Sequence, residues 1–197
     1  MLKGVNLYLI GMMGAGKTTI GRLLSQHLDY RFFDTDAVIE QAATQPIKQI
    51  FAESGEEAFR QLETQVLAQL SPYTRLVIAT GGGIVLKREN WSYLRHGIVV
   101  WLDAPIEHLH QRLQNDTSRP ILQDQHVSLK EKLQTLSDQR RALYAQADLQ
   151  ITAMNDESAI QLAERVMNAI AQKCQEKSQI DEGLNQMNQE TPYQIKP

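Results

Sequence analysis

The sequence predicts an α/β protein, a five-stranded parallel sheet flanked by helices. Short apolar runs alternate with longer amphipathic stretches along the chain. The runs are mostly continuous rather than alternating, as in strands covered on both faces. The first run leads directly into the glycine-rich stretch "GMMGAGKTT" at residues 11–19, and a helical pattern follows it. Strand–loop–helix of this kind opens a phosphate-binding α/β domain.

The elements follow in order. Strands are predicted at 5–11 (VNLYLIG), 31–33 (RFF), 75–80 (RLVIAT), 97–102 (GIVVWL) and 149–152 (LQIT). Helical patterns are clearest at 17–28, 55–70, 105–115, 128–146 and 157–172. In the last of these, Ile160, Ala163, Val166, Met167 and Ile170 recur at helical spacing. There is no internal repeat. Residues 1–172 therefore read as one domain, with 114–127 (QNDTSRPILQDQHV) as a polar, proline-containing lid segment between two helices. Residues 173–197 are rich in Gln, Asn, Glu and Lys, and are expected to be a mobile polar tail without a catalytic part. Ile180, Leu184 and Met187 sit at helical spacing and leave room for a short docked helix.

The totals narrow the function. At 197 residues the chain can bury a substantial core. No segment reaches the ~20 apolar residues that a membrane span requires. The N-terminal apolar run flows into the glycine loop, so it reads as a first strand and not as a cleaved leader. The single cysteine, Cys174, excludes an internal disulfide framework and suits a reducing cytoplasm, the expected location. Lys and Arg total 20 against 23 for Asp and Glu, a net charge of −3, so neither a nucleic-acid nor a membrane partner is expected. Nothing requires more than a monomer.

The motif Gly-x-x-x-x-Gly-Lys-Thr is complete from Gly11 to Thr18. Its glycines turn the backbone so that several N–H groups face one concavity, and the following helix adds its positive end. Gly14, Ala15, Gly16 and Thr19 are assigned to ATP with Lys17 and Thr18. Lys17 is placed to reach the outer phosphates and the Thr18 hydroxyl to ligate Mg2+. The second strand runs parallel to the first, so "FFDTD" brings Asp34 and Asp36 to the same edge. One of these carboxylates can cap the helix at 35–43. Between them they can also anchor the metal's water shell and take a substrate hydroxyl. "ATGGG" ends the third strand at that edge, where Gly81, Gly82 and Gly83 let a small substrate approach bare backbone. "VVWLD" imitates the metal-binding strand of many phosphate-loop proteins, but the proline two residues on makes Asp103 a helix cap. In "FRQLE", Arg60 and Glu63 lie three apart on one helix face, close enough to pair. An arginine on the lid, Arg119, can stabilise charge on a transferring phosphoryl group while closure excludes water.

Together these motifs resemble the shikimate kinase family. "GMMGAGKTTIG", "FFDTDAVIE", "IKQIFAESGEEAFRQLE", "ATGGG", "RLQNDTSRPIL" and "RRALY" stand in that family's order, covering about residues 4–172. The resemblance implies a nucleoside-monophosphate-kinase-like P-loop fold and MgATP-dependent phosphorylation of the 3-hydroxyl of shikimate, toward chorismate and the aromatic amino acids. It implies catalytic roles for Lys17, Asp36 and Arg119, with Asp36 accepting the hydroxyl's proton. It implies shikimate contacts from Asp34, Asp36, Arg60, Gly82 and Arg140, with Glu63 steadying Arg60. It implies Mg2+ held directly by Thr18 and through water by Asp34, with Arg119 at the phosphates and Arg112 at the adenine. Arg141 leaves open which member of the arginine pair faces the substrate. Ala142 stands where the family often has proline, and "TAMNDES" (152–158) lacks an arginine that some relatives carry near the adenine. A gluconate kinase would share the chemistry, but "DTD", "FRQLE" and "ATGGG" together argue against it. A regulatory module that has lost turnover should lack one of these polar residues, and all are present.

Overall fold

Five strands, β1 (Asn6–Ile10), β2 (Arg31–Asp34), β3 (Leu76–Ala79), β4 (Gly97–Asp103) and β5 (Leu149–Thr152), form a sheet in the order β2-β3-β1-β4-β5 with every pairing parallel. The structure, a computed structural model, describes Leu2 and residues 4–116 and 127–190, the side chains of 177–190 excepted. All five predicted strands are present, with ends within one or two residues of expectation. Leu7, Tyr8, Leu9 and Ile10 of the central strand are fully buried, which explains its unbroken apolar run. β5, at the sheet edge, alternates half-buried with exposed positions.

Parallel pairing forces crossovers, and helices supply them. α1 (Lys17–Leu28) packs over β3 and against α7 (Ala159–Glu190). α1 begins at Gly16, whose φ of 93° suits glycine alone, and ends at Asp29 in the left-handed region, whose N–H returns to the Ser25 carbonyl. α2 (Thr35–Ala43) is capped by Asp34, which accepts the Asp36 N–H at 3.1 Å. α3 (Ile47–Leu70) follows Pro46 and breaks its helical geometry at Gly55, with φ 79° and ψ 175°. The residues after that kink, 56–70, form the helix read from the sequence. α6 (Leu129–Tyr144) starts with a reciprocal capping box between Ser128 and Glu131.

Three features depart from the sequence reading. A short 3-10 turn (Ile84–Leu86) and α4 (Arg88–Leu94) fill the segment between β3 and β4, which shows no helical periodicity. Side chains hold them: Asn90 Nδ2 donates to the Ile84 carbonyl at 2.7 Å, and Trp91 Nε1 to that of Val85 at 3.4 Å. Asp103 does not cap the next helix. β4 extends through it, α5 (Ile106–Leu113) starts after Pro105, and the carboxylate accepts from Gln150 Nε2 at 2.8 Å. The last helix does not close at 172 but continues to Glu190, through glutamines, glutamates and lysines that favour helix, with proline first at Pro192.

The chain leaves β1 toward β2 on one side and leaves β3 toward β4 on the other. The connections from these neighbouring strands thus run to opposite sides of the sheet from their carboxyl ends, where open α/β sheets hold ligands.

Candidate active site

At that edge lies a cleft of about 450 Å3 lined by the phosphate loop, Asp34, Asp36, Gly82 and Arg112. Gly14, Ala15, Gly16, Lys17, Thr18 and Thr19, the residues that the sequence reading assigns to ATP, all line it. Lys17 is 8% exposed, and its Nζ donates to the carbonyls of Gly11 and Met12, each at 2.8 Å. The ammonium thus lies across the loop's own concavity, already largely desolvated. Arg112 reaches from α5 to the Gly14 carbonyl at 2.8 Å, which puts a second cation on the loop's outer rim.

The Thr18 hydroxyl donates to Asp34 Oδ2 at 2.6 Å. Two hard oxygen donors therefore meet at the start of α1, the helix that follows the loop. Among the described residues there is no group of three or more His, Cys, Asp or Glu side chains that could cage a metal. This donor set fits Mg2+, which keeps most of its waters and is shared between one or two protein oxygens and nucleotide phosphates.

The glycine triplet has a purpose beyond bare backbone. A Cβ at Gly81 would collide with Glu63 Oε1 and press on Asp36 Oδ1, and one at Gly83 would collide with the Arg60 guanidinium. One at Gly82 would stand 3.2 Å from the Met13 backbone nitrogen in the phosphate loop. The three absent side chains make room for two carboxylates, the nucleotide loop and an arginine. The turn is fastened by the Gly81 N–H, which donates to the fully buried Thr35 hydroxyl at 3.0 Å. The Gly82 carbonyl accepts from Arg140 Nη1 at 3.1 Å and from the Tyr144 hydroxyl.

Arg60 is 8% exposed and doubly paired, by Nη2 to Glu56 Oε1 at 2.8 Å and by Nη1 to Glu63 Oε2 at 2.5 Å. Burial disfavours its charge, but Glu63 and Glu56 more than restore it, so its pKa is raised. Burial pushes the Glu63 carboxyl up to about 7, against the pull of Arg60, and the charge of Asp36 adds to the rise. Glu63 Oε1 is buried without a hydrogen-bond partner. Burial likewise pushes the Tyr144 phenol up to about 12, so it remains a donor to the glycine turn.

Because the Glu63 pKa is raised on folding, the folded protein holds a proton that the unfolded chain has lost between about pH 4.5 and 7. This stabilising contribution is complete below about 4.5 and is lost as pH rises through about 7. Glu63→Gln is expected to flatten that part of the stability profile, read by urea denaturation at pH 5 and pH 8. Parallel profiles for the two proteins would mean that Glu63 stays ionised throughout.

The two adjacent arginines separate cleanly. Arg140 is 3% exposed and faces the glycine turn. The Arg141 side chain is 59% exposed, 3.6 Å from Asp103, with its guanidinium over the Trp101 ring at 5.4 Å from the centroid. Arg119 lies outside the described residues, as does most of the segment read as a lid. Neither Glu56 nor Tyr144 is among the site residues read from the sequence, and the cleft wall of Met154 and Glu157 is touched there only through the segment 152–158 that the resemblance sets near the adenine. Glu56 had a legible signal, four residues before Arg60 on the same helix.

The sequence profile of the shikimate kinase family matches residues 13–174. The chain belongs to the shikimate kinase family. It is 58% identical over 170 residues to a shikimate kinase of Nostoc sp. strain PCC 7120, covering 86% of this chain and 93% of that one. Among solved structures it resembles the shikimate kinase from Acinetobacter baumannii in complex with shikimate, with a TM-score of 0.81 and 40% identity over 85% of this chain and 93% of the other. A gluconokinase from Sinorhizobium meliloti shares the fold alone, with a TM-score of 0.56 and 15% identity over 90% of this chain and 99% of that one.

Proposed function

We propose that the protein transfers the γ-phosphoryl group of MgATP to the 3-hydroxyl of shikimate, a step toward chorismate and the aromatic amino acids. The observation that carries this reading is the glycine turn, which packs Gly82 against the phosphate loop while Arg60 and Arg140 stand beside it. A small acceptor bearing a carboxylate and hydroxyls matches that arrangement. Arginine forks suit the carboxylate, and carboxylates with backbone groups suit the hydroxyls.

In the proposed reaction the acceptor oxygen bonds to the γ-phosphorus as the bond to the β,γ-bridging oxygen breaks, and ADP leaves with that oxygen. The hydroxyl proton passes to Asp36, which lines the same cleft as Lys17. Lys17 neutralises charge on the outer phosphates and the N–H groups of the loop orient them. Arg60, Gly82 and Arg140 hold the acceptor, with Asp34 near both the acceptor and the metal. Arg112 serves the nucleotide, and Arg119 is assigned to the phosphates on the strength of its motif. Thr18, and Asp34 through water, would hold Mg2+, which would neutralise charge on the phosphates when bound. A monomer working in the cytoplasm on small molecules suffices for this chemistry, and no described helix is long and apolar enough to cross a membrane.

The test is ADP release by purified protein with MgATP and shikimate, gluconate or no acceptor. Shikimate-dependent release is expected, and release driven by gluconate instead would overturn the acceptor assignment. Arg140→Ala should raise the KM for shikimate by roughly 10- to 100-fold, the effect of losing a charged hydrogen bond. Arg141→Ala should change it less than about twofold, since an exposed pair contributes little. Equal effects in initial-rate assays would mean that both arginines serve the acceptor.

A further inference from the structure

Beyond the phosphate loop the cleft continues past Arg112 to Met154 and Glu157, on the segment 153–158 that joins β5 to α7. With the phosphates on Gly14–Thr18, this is the end where the base of the nucleotide must lie, a placement that rests on the proposed function. The segment is irregular apart from a turn at 155–156, yet it is fastened near each end. Arg165, on α7 and outside the cleft lining, directs one nitrogen, Nη1, at three acceptors. They are the carbonyl of Thr152 at 3.2 Å and the two carboxylate oxygens of Glu157 at 2.8 and 2.9 Å. Glu157 in turn accepts the Met154 N–H at 3.1 Å, and its side chain is only 7% exposed. From the other side, His108 on α5 meets Asn155 Oδ1 at 2.8 Å. Burial opposes the charge on Glu157, but Arg165 and the Met154 amide outweigh it and hold the carboxyl below its usual range.

We infer that Arg165 is a positioning residue for the base end of the nucleotide, acting through Glu157 to hold the Met154 segment against the cleft. Thr152, the last residue of β5, immediately precedes this segment and Glu157 lies near its far end, and Arg165 ties both to one helix. Without it the Glu157 carboxylate loses its counter-charge, and the wall opposite Arg112 loses its fixed distance from the phosphate loop. The base contacts then weaken while the phosphate contacts, made by a different part of the chain, do not.

Calorimetric titration of the protein with Mg2+ and either ATP or inorganic tripolyphosphate separates the two ends. Arg165→Ala is expected to weaken ATP binding roughly tenfold, as for a lost charged hydrogen bond, and to leave tripolyphosphate binding unchanged. The preference for ATP over GTP should narrow at the same time, with kcat at saturating ATP kept. Arg165→Lys, which retains the charge on a shorter side chain, should fall between. If Arg165→Ala does not fold, Arg165→Gln is read in the same way. Unchanged ATP binding would overturn the inference, and so would an equal loss for both probes, which would signal general loosening. The titration contains no acceptor, so it is independent of whether shikimate is the substrate. Wild-type protein that bound neither probe would sink the nucleotide reading together with this inference.

Discussion

Lys17→Ala is expected to lower kcat by on the order of 10^3-fold or more, the scale seen when a charge aimed at a transferring phosphoryl group is removed. Two losses combine. The ammonium that neutralises the outer phosphates is gone, and so is the clamp that holds the Gly11 and Met12 carbonyls at 2.8 Å each. Those carbonyls lie in a buried loop, where losing their shared donor costs more than it would at a surface. Lys17→Arg is not a rescue, because a planar fork cannot occupy a site built for a compact ammonium within its own loop. Initial rates at saturating ATP and shikimate check the expectation, and near-wild-type turnover would contradict the role of the loop.

Asp36→Asn is expected to reduce kcat by roughly 10^2- to 10^4-fold, the usual worth of a positioned proton acceptor. Affinity for ATP should stay within about twofold. Asparagine keeps the shape of the side chain on the first turn of α2 and removes its charge, and with it the capacity to take a proton. The backbone is held independently, by the Asp36 N–H on Asp34 Oδ1 at 3.1 Å. A variant with poor turnover and intact nucleotide binding is therefore the expected product. Intact turnover would remove Asp36 from the proton path.

The fold was legible because its strongest signals are local. α1 was read to the residue because a glycine-rich loop starts it, and the strands because β1, β3 and β4 are buried along most of their length. What failed to show were features held by tertiary contacts. α4 depends on Asn90 and Trp91 bonding back to the preceding turn, which no periodicity announces. Asp103 looked like a cap because a proline follows, but strand pairing with β5 carries the chain one residue further before the helix can begin.

The site divides in the same way. The phosphate loop, "DTD" and the Arg60–Glu63 spacing carry their chemistry in sequence. The choice between Arg140 and Arg141 does not, since adjacent helical residues point about 100° apart and only packing decides which is turned inward. Nor does the role of Gly81 and Gly83, whose neighbours Glu63 and Arg60 come from a distant helix. Arg165 and Glu157, eight residues apart, match no simple helical pairing and carried no sequence signal.

On the proposed assignment of Arg60 to the acceptor's carboxylate, its existing pairing decides how an acceptor arrives. Its guanidinium already holds two carboxylates, Glu63 almost fully buried and Glu56 with 52% of its side chain exposed. An incoming acid does not meet a bare cation but competes for one that is taken. Glu56 is the partner that can yield, because water can receive it, whereas Glu63 is enclosed. Capture at Arg60 is thus an exchange of one carboxylate for another. The net charge around the guanidinium is conserved, and selectivity falls to the shape of the ring and the placement of its hydroxyls.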